Sequence, residues 1–328
     1  LLGDTFEFDR QYPDHGLLRL DRNTDTHAIA GTLLGITHRQ DEVADLLQES
    51  GRSQQQIDRL DRQLDRLNLE LDGASRLQQQ SLPEPSQRIT GGTIATLWKP
   101  AGPVSGDLVN VLDLGRGRTG LLVADSIGHG VPAAMLSMLL QRTATEAQQF
   151  GHESILCSPA RMLERLNDAL LHSAGEETRF ATALYAVFDA NAGTLLLGAA
   201  GHPAPLVARC NGTTERLEAH GPLLGIFTGE QFTESSHHLD AGDRVIFYTD
   251  GIEQATLCAR NDHSLIGGEA VRRLVHALAD ADTADEFISQ IQSTLELDVS
   301  RRSGDEMDDL TMLCFDVDMT ANAERRAA

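Results

Sequence analysis

The sequence predicts an α+β protein with a long helical segment in front of it. From residue 94 onward, strand-length apolar runs and helical stretches follow the order strands, two helices, strands, two helices, strand. Before that, residues 38–80 carry apolar side chains on a 3-4 alternation. The 328 residues are 41% hydrophobic, which is enough for one large core plus an extension. This pattern supports α+β and leaves the stacking of the layers open.

The N-terminal residues 1–37 are interpreted as a partial or small regulatory segment. Strand-like runs at 17–20 and 28–34 lie there among Asp, Asn and Gly turns.

Residues 38–85 are predicted to form a coiled-coil dimerisation linker. The sustained a/d pattern, with uniformly polar residues between its members, favours a parallel homodimer over an amphipathic helix packed on its own domain. Prolines in the segment 81–87 end the helix. The apolar seam consists of Val43, Leu46, Ile57, Leu60, Leu64, Leu67, Leu71 and Ala74.

The main domain is predicted at residues 86–318, followed by a tail at 319–328. Its expected strands are at 94–101, 107–115, 119–125, 180–189, 193–201, 205–210, 213–219, 243–251 and 310–317. Its expected helices are at 133–149, 159–173, 268–279 and 284–297.

Charge and cysteine content restrict the possible partners. A formal net charge of −22 argues against nucleic acid or an anionic membrane surface as a partner. No apolar run reaches the roughly 18 residues of a membrane span. The four cysteines lack CxxC spacing, which favours free buried thiols in a reducing cytoplasm over disulfides or zinc.

The most informative stretch is residues 121–136, LLVADSIGHGVPAAML. A buried-strand run ends on Asp125, two glycines bracket His129, and Pro132 stands where a first helical residue belongs. The glycines allow a sharp turn and a close approach to a bound group. A single aspartate at a strand end is commonly a turn former or a helix cap, so this stretch alone does not establish a site.

Recurrence of the carboxylates changes that interpretation. Asp107 starts a strand after Gly106, Asp250 ends another before a glycine, and the pair Asp308 and Asp309 directly precedes the last strand. Several strand-edge carboxylates suit a divalent cation, because Mg²⁺ and Mn²⁺ take oxygen ligands and keep several waters.

Six ordered motifs within residues 88–318 resemble the metal-dependent serine/threonine phosphatases of type 2C, and more closely their SpoIIE/RsbU branch in bacterial partner-switching pathways. The motifs are SGD (105–107), DSIGHG (125–130), ATALYAVFD (181–189), AAGHPAPLV (199–207), DRVIFYTDGIEQA (243–255) and DDLTMLCFDV (308–317).

This resemblance implies a four-layer α/β/β/α sandwich of two antiparallel sheets. It also implies two ions per site, Mn²⁺ or Mg²⁺, that activate a water for phosphoryl displacement. Asp107 and Asp125 would be the catalytic metal ligands. The other implied ligands are the Ser126 carbonyl, Asp250 and Asp308, with possible accessory roles for Asp309, Gly106 and His129.

The implied activity is dephosphorylation of phosphoserine or phosphothreonine on a protein regulator, an anti-sigma factor antagonist by resemblance, controlled through the coiled coil. Two alternatives stay open. Asn110 stands where the family usually has a carboxylate, which hints at a catalytically weak scaffold that binds a signalling partner. A hydrolase of small phosphoesters is also compatible with the sequence.

Overall fold

The computed structural model describes residues 23–173, 179–260, 267–299 and 308–318. The chain divides into two compact units, with the boundary between Glu70 and Leu71. The predicted strand run at 17–20 and the predicted tail at 319–328 lie outside the described residues.

The first unit is dominated by helix α1, Thr26–Gln80, which runs for 55 residues and continues past the unit boundary. The prediction of a strand at 28–34 was therefore wrong, and the helix begins well before residue 38. A short apolar run has only weak strand preference, and extending an existing helix costs far less than nucleating a new element.

The second unit contains eleven strands and six further helices among the described residues. The strands are β1 Ser86–Ile89, β2 Gly92–Lys99, β3 Asp107–Gly115, β4 Arg118–Ser126, β5 Ala181–Asp189, β6 Thr194–Ala200, β7 Leu206–Ala208, β8 Thr214–Arg216, β9 Ser235–His238, β10 Arg244–Tyr248 and β11 Leu310–Val317. The helices are α2 Val131–Gln149, α3 Glu153–Leu156, α4 Pro159–Ser173, α5 Asp250–Arg260, α6 Gly267–Ala277 and α7 Ala284–Val299.

These strands form two antiparallel sheets. The six-stranded sheet has the order β1-β2-β11-β10-β7-β8, and the five-stranded sheet has the order β3-β4-β5-β6-β9. Side chains that alternate along each strand serve two cores, because successive residues of a strand point to opposite faces. On β4, Leu121 and Val123 face the other sheet, whereas Leu122 and Ala124 face helices α2 and α4.

Three hydrophobic clusters follow from this alternation. One lies between the sheets, one lies between the five-stranded sheet and helices α2 to α4, and one lies between the six-stranded sheet and helices α5 to α7. The layers are therefore helix, sheet, sheet and helix, which confirms the predicted four-layer sandwich.

Some elements were not predicted. Strands β1 and β9 and helices α3 and α5 had no sequence-based counterpart. Of the cysteines whose side chains are described, three are free, but only Cys314 is buried, so the expectation of buried thiols holds for one of them. None of the described helices is long and apolar enough to cross a membrane.

Candidate active site

Asp107 and Asp125 face each other at one end of the five-stranded sheet. They are direct register partners on β3 and β4, so their Cβ atoms are roughly 5 Å apart. Strand alternation puts both on the face that looks toward the other sheet, in line with Val109 and Val123 of the inter-sheet core. The two carboxylates therefore cap the open end of that core.

Two residues on the side of the six-stranded sheet, Thr249 and Trp98, donate hydrogen bonds to Asp107. The Thr249 hydroxyl, which follows β10, donates to Asp107 Oδ2 at 2.8 Å. The indole Nε1 of Trp98 donates to the Asp107 backbone carbonyl at 3.2 Å. Asp107 is buried, and these contacts fix its orientation from both the side chain and the backbone.

Asp250 and Asp308 are brought together by a close backbone crossing. A Cβ placed on Gly251 would lie 2.0 Å from the Asp309 carbonyl oxygen, so only glycine allows the two segments to approach this closely. Gln254, one turn along α5 from Asp250, donates to Asp308 Oδ2 at 3.3 Å. The same side chain partly offsets the rise in the pKa of Asp250, so Gln254 acts on both carboxylates.

Asp309 braces the loop before β3. Its Oδ1 accepts a hydrogen bond from the Ala101 N–H at 2.7 Å, and its Oδ2 accepts one from the Gly106 N–H at 2.8 Å. A Cβ on Gly106 would lie 2.9 Å from the Ser126 carbonyl oxygen, so the glycine lets this loop pass close to the end of β4. Two of the three predicted accessory residues, Asp309 and Gly106, thus shape the loop that carries Asp107.

A cavity of about 660 Å³ opens above these carboxylates. Asp125, Asp250, Asp308, Asp309 and His129 line it, whereas Asp107, Gly106 and Ser126 lie behind its wall. The described lining residues include no Lys or Arg. The remaining lining residues are Ala101, Gly102, Pro103, Val104, Ile127, Gly128, Gly130, Phe180, Thr182 and Gln254.

Burial and mutual repulsion raise the pKa values of three carboxylates in this cluster. Burial, followed by the nearby charges of Asp250, Asp308 and Asp309, raises the pKa of Asp125 to about 7. Burial and the Asp125 charge raise the pKa of Asp107 well above its ordinary value. Burial and the Asp308 charge raise the pKa of Asp250. The cluster lacks a compensating positive charge among its described lining residues.

Among the described residues, no group of three or more His, Cys, Asp or Glu side chains is placed so that it could hold a metal ion on its own. A divalent cation in this cluster would therefore bind through one or two carboxylates and complete its shell with water, as Mg²⁺ in particular does in proteins. Such an ion would neutralise carboxylates whose pKa values are elevated and whose described cavity lining contains no Lys or Arg.

Sequence reasoning missed part of this arrangement. Thr249 and Gln254 were not singled out, although Gln254 stands four residues after Asp250, which on a helix means the same face. Asn110 is buried on the face of β3 that also carries Leu108 and Leu112, which pack against the helices. It lies on the opposite face from Asp107 and does not line the cavity, so it gives no sign of a lost metal ligand there.

Comparison with solved structures shows which proteins share this fold. The chain superposes on the SiaA-PP2C domain of Pseudomonas aeruginosa with a TM-score of 0.62 at 19% identity, covering 77% of this chain and 98% of that one. It also matches the structure of the RsbU and RsbW domains of Rv1364c from Mycobacterium tuberculosis, with a TM-score of 0.56 and 25% identity over 70% of this chain and 62% of that one. The fold of this chain is that of PP2C phosphatase domains.

Residues 115–318 match the family described as Stage II sporulation protein E (SpoIIE), and the chain belongs to this family. A curated relative, phosphoserine phosphatase RsbP of Bacillus subtilis, is 30% identical over 56% of this chain and 45% of its own length. The chain spans between 34% and 63% of the curated relatives that it matches most strongly.

Proposed function

We propose that this protein is a metal-dependent phosphatase that removes phosphate from phosphoserine or phosphothreonine on a protein regulator. The observation that carries the proposal is the convergence of Asp107, Asp125, Asp250 and Asp308 at the open end of the inter-sheet core, beside a cavity whose described lining has no Lys or Arg. Such a cluster is costly unless cations occupy it.

Mn²⁺ or Mg²⁺ ions would be held by Asp107, Asp125 and the backbone carbonyl of Ser126 on one side, and by Asp250 and Asp308 on the other. When bound, a pair of such ions supplies an activated water near neutral pH and stabilises negative charge on the phosphoryl group.

The chain itself provides the orientation of these ligands. Thr249 fixes one oxygen of Asp107, Gln254 acts on both Asp250 and Asp308, and Asp309 holds the loop before β3. Rigid ligands reduce the reorganisation needed during reaction. Ile127, Pro103 and Phe180 give the cavity an apolar wall that suits the stem of a phosphorylated side chain.

The substrate class is supported by the relatives. RsbP is named a phosphoserine phosphatase, and the motifs resemble enzymes of partner-switching pathways. We therefore favour a phosphorylated anti-sigma antagonist-like protein over a small phosphoester. We further propose that the protein works in the cytoplasm, where Cys157, Cys210 and Cys314, all free in the structure, would stay reduced.

With Mn²⁺ present, the full chain is expected to release phosphate from phosphoserine and phosphothreonine peptides and from p-nitrophenyl phosphate, and to lose this turnover when the metal is chelated. Phosphate release is measured against a panel of phosphopeptides, phosphoproteins and phosphorylated metabolites. Faster turnover of metabolites than of phosphoproteins would favour the small-molecule alternative. Metal-independent turnover, or none with any substrate, would contradict the proposal.

We also propose that α1 controls the active site, and the contacts of Gln78 support this. Gln78, in the last turn of α1, is 3% exposed. Its amide donates to the Ser105 carbonyl at 2.7 Å, and its Oε1 accepts from the Ser105 N–H at 3.0 Å. The same amide donates to the Ser137 hydroxyl of α2 at 3.1 Å. Gln78 thus ties the helix end to the residue two positions before Asp107.

The proposed parallel homodimer is supported by the apolar seam of α1. Ile57, Leu60, Leu64 and Leu67 are between 49% and 56% exposed in the single chain. Large apolar side chains repeated at a and d positions on an otherwise polar helix are buried when two such helices pair. Sedimentation equilibrium of the full chain measures the stoichiometry directly.

Gln78→Leu is expected to raise the Mn²⁺ concentration for half-maximal activity by about tenfold. It leaves the buried N–H of Ser105 without a partner and removes the shorter of two hydrogen bonds to the Ser105 carbonyl, which also accepts from the Ser137 hydroxyl at 3.3 Å. The loss costs roughly 1–3 kcal/mol and loosens the loop that carries Asp107. Gln79→Leu is the matched control, since Gln79 is exposed. An unchanged metal requirement in Gln78→Leu, or an equal change in both variants, would contradict control through this contact.

A further inference from the structure

Thr182 occupies a position in the active site that the proposed chemistry has not yet used. It is the register partner of Asp125 across β4 and β5, and it lines the same cavity. Leu184 and Phe188, further along β5, belong to the inter-sheet core, so alternation directs Thr182 to the same face as Asp125. Asp107, Asp125 and Thr182 therefore form a row across three neighbouring strands.

The hydroxyl of Thr182 is hydrogen-bonded to the ring of His202. The Nδ1 atom of His202 lies 2.7 Å from Thr182 Oγ1. Burial lowers the pKa of His202 to about 3, so the ring is neutral at physiological pH and carries one N–H. The preceding residue, Gly201, adopts φ 63°, and its N–H donates to the Gly221 carbonyl at 2.9 Å, which fixes the chain beside the ring.

The surroundings of the ring decide which nitrogen carries the proton. Nε2 makes no hydrogen bond of normal geometry within the described residues. The Tyr248 backbone nevertheless favours a proton on the ring, and only its carbonyl, an acceptor, has that effect. Because Nδ1 is already engaged by Thr182, Nε2 is the nitrogen left to face this carbonyl, and a proton there would point toward it. A proton on Nδ1 would leave the Nε2 lone pair facing the carbonyl oxygen. The Nε2–H tautomer is therefore preferred, and Nδ1 is an acceptor.

We propose that Thr182 and His202 form a positioning pair: His202 Nδ1 accepts the hydroxyl proton of Thr182, so that Oγ1 presents only lone pairs to the cavity and accepts a hydrogen bond from the attacking water. This role rests on the proposed phosphatase function. A hydroxyl group has one donor and two acceptor sites, and committing the donor to His202 makes Thr182 an acceptor toward the cavity. The pair adds no net charge to a site that is already crowded with carboxylates.

Thr182→Val is expected to lower kcat at least tenfold while KM for a phosphoserine peptide changes less than twofold, because the attacking water loses a partner and the bound peptide does not. Thr182→Ser should restore kcat to within about threefold. His202→Phe should lower kcat to the same extent, and the double variant should be no worse than either single one, because the two residues act as a unit.

Thr119→Val is the matched control. Thr119 is buried on β4, toward the far end of the same strand from Asp125, about 20 Å away at the usual rise per residue. Melting temperatures of all variants without metal are compared with the wild type. Loss of kcat in Thr119→Val equal to that in Thr182→Val would show a general packing effect and overturn the proposal.

A second measurement needs neither metal nor turnover. The ¹⁵N resonances of the His202 ring in the metal-free wild type should show a neutral Nε2–H tautomer from pH 5 to pH 8. Thr182→Val should move the Nδ1 resonance toward that of an unbonded nitrogen. An Nδ1–H tautomer, or full kcat in Thr182→Val, would overturn the pair. If the wild type has no metal-dependent turnover, the proposed function fails and the water-positioning role fails with it, while the tautomer result still decides the pairing.

Discussion

Asp125→Asn should abolish phosphatase turnover and, at the same time, stabilise the metal-free domain at alkaline pH. Burial and the charges of three acidic neighbours raise the pKa of Asp125 to about 7. Asparagine keeps the shape and removes the charge. We expect turnover with Mn²⁺ to fall on the order of 10³-fold, the scale seen when a group that stabilises the transition state is removed.

The sign of the stability effect follows from proton linkage. A folded-state pKa of about 7 against an ordinary 3.8 means that the folded state binds more protons than the unfolded state between these values. The free energy of unfolding therefore falls as the pH rises from about 4 to about 7, and the full cost of the charged carboxylate applies above that range. Removing the carboxylate should recover roughly 2 kcal/mol at pH 8 and nothing at pH 4.

Chemical denaturation in a metal chelator at pH 4, 6 and 8 measures this difference. Asp168→Asn serves as the control, because Asp168 is exposed on helix α4. A loss of stability in Asp125→Asn at pH 8 would show that the carboxylate is compensated in the metal-free fold. Turnover within tenfold of the wild type would remove Asp125 from the proposed metal ligands.

The carboxylates were predictable because each belongs to a local pattern. Asp125 and Asp250 each follow an apolar run and precede a glycine-containing turn, and Asp107 starts a strand after a glycine. Strand alternation then places Asp107 and Asp125 on one face. The four-layer stacking, by contrast, was expected from the family resemblance, since the order of elements does not state which faces of the sheets meet.

Contacts between distant segments were not predictable. Gln78 meets Ser105, 27 positions away, and Thr249 meets Asp107, 142 positions away. Neither residue carries a local signal, because glutamine in a polar helix and threonine at a strand end are common on solvated surfaces. Their roles depend on burial, which only the assembled sheets produce. The prediction of a strand at 28–34 was wrong for the converse reason. A local pattern favoured a strand there, but helix α1 continues through these residues.

Asn110 shows that the face on which a strand residue lies decides whether it can belong to the site. In the sequence, an asparagine in place of the usual carboxylate near the SGD motif suggested a weakened metal site. Asn110 lies three residues after Asp107, so alternation turns it to the other face of β3, toward the helices. An odd spacing on a strand was enough to separate the two residues, and this could have been deduced before the structure.

The second large effect is expected at Gly251, where the lack of a side chain lets the segments that carry the proposed metal ligands Asp250 and Asp308 approach closely. A Cβ at this position would lie 2.0 Å from the Asp309 carbonyl oxygen and 3.0 Å from its carbon, both backbone atoms that have no rotamer to change. Gly251→Ala must therefore push the 308–309 segment away from Asp250. We expect a loss of about 3 kcal/mol in the free energy of unfolding, at the upper end of the usual cost of overpacking.

The displacement should reach the other half of the site through Asp309. Its carboxylate accepts hydrogen bonds from the Ala101 and Gly106 N–H groups, so moving it releases the loop that leads into Asp107. Calorimetric titration of Gly251→Ala with Mn²⁺ should show at least tenfold weaker binding, and turnover should fall about 100-fold or more. Gly73→Ala is the control, because a Cβ there meets nothing within 4 Å. Wild-type metal affinity in Gly251→Ala would mean that Asp250 and Asp308 do not depend on this crossing to act together.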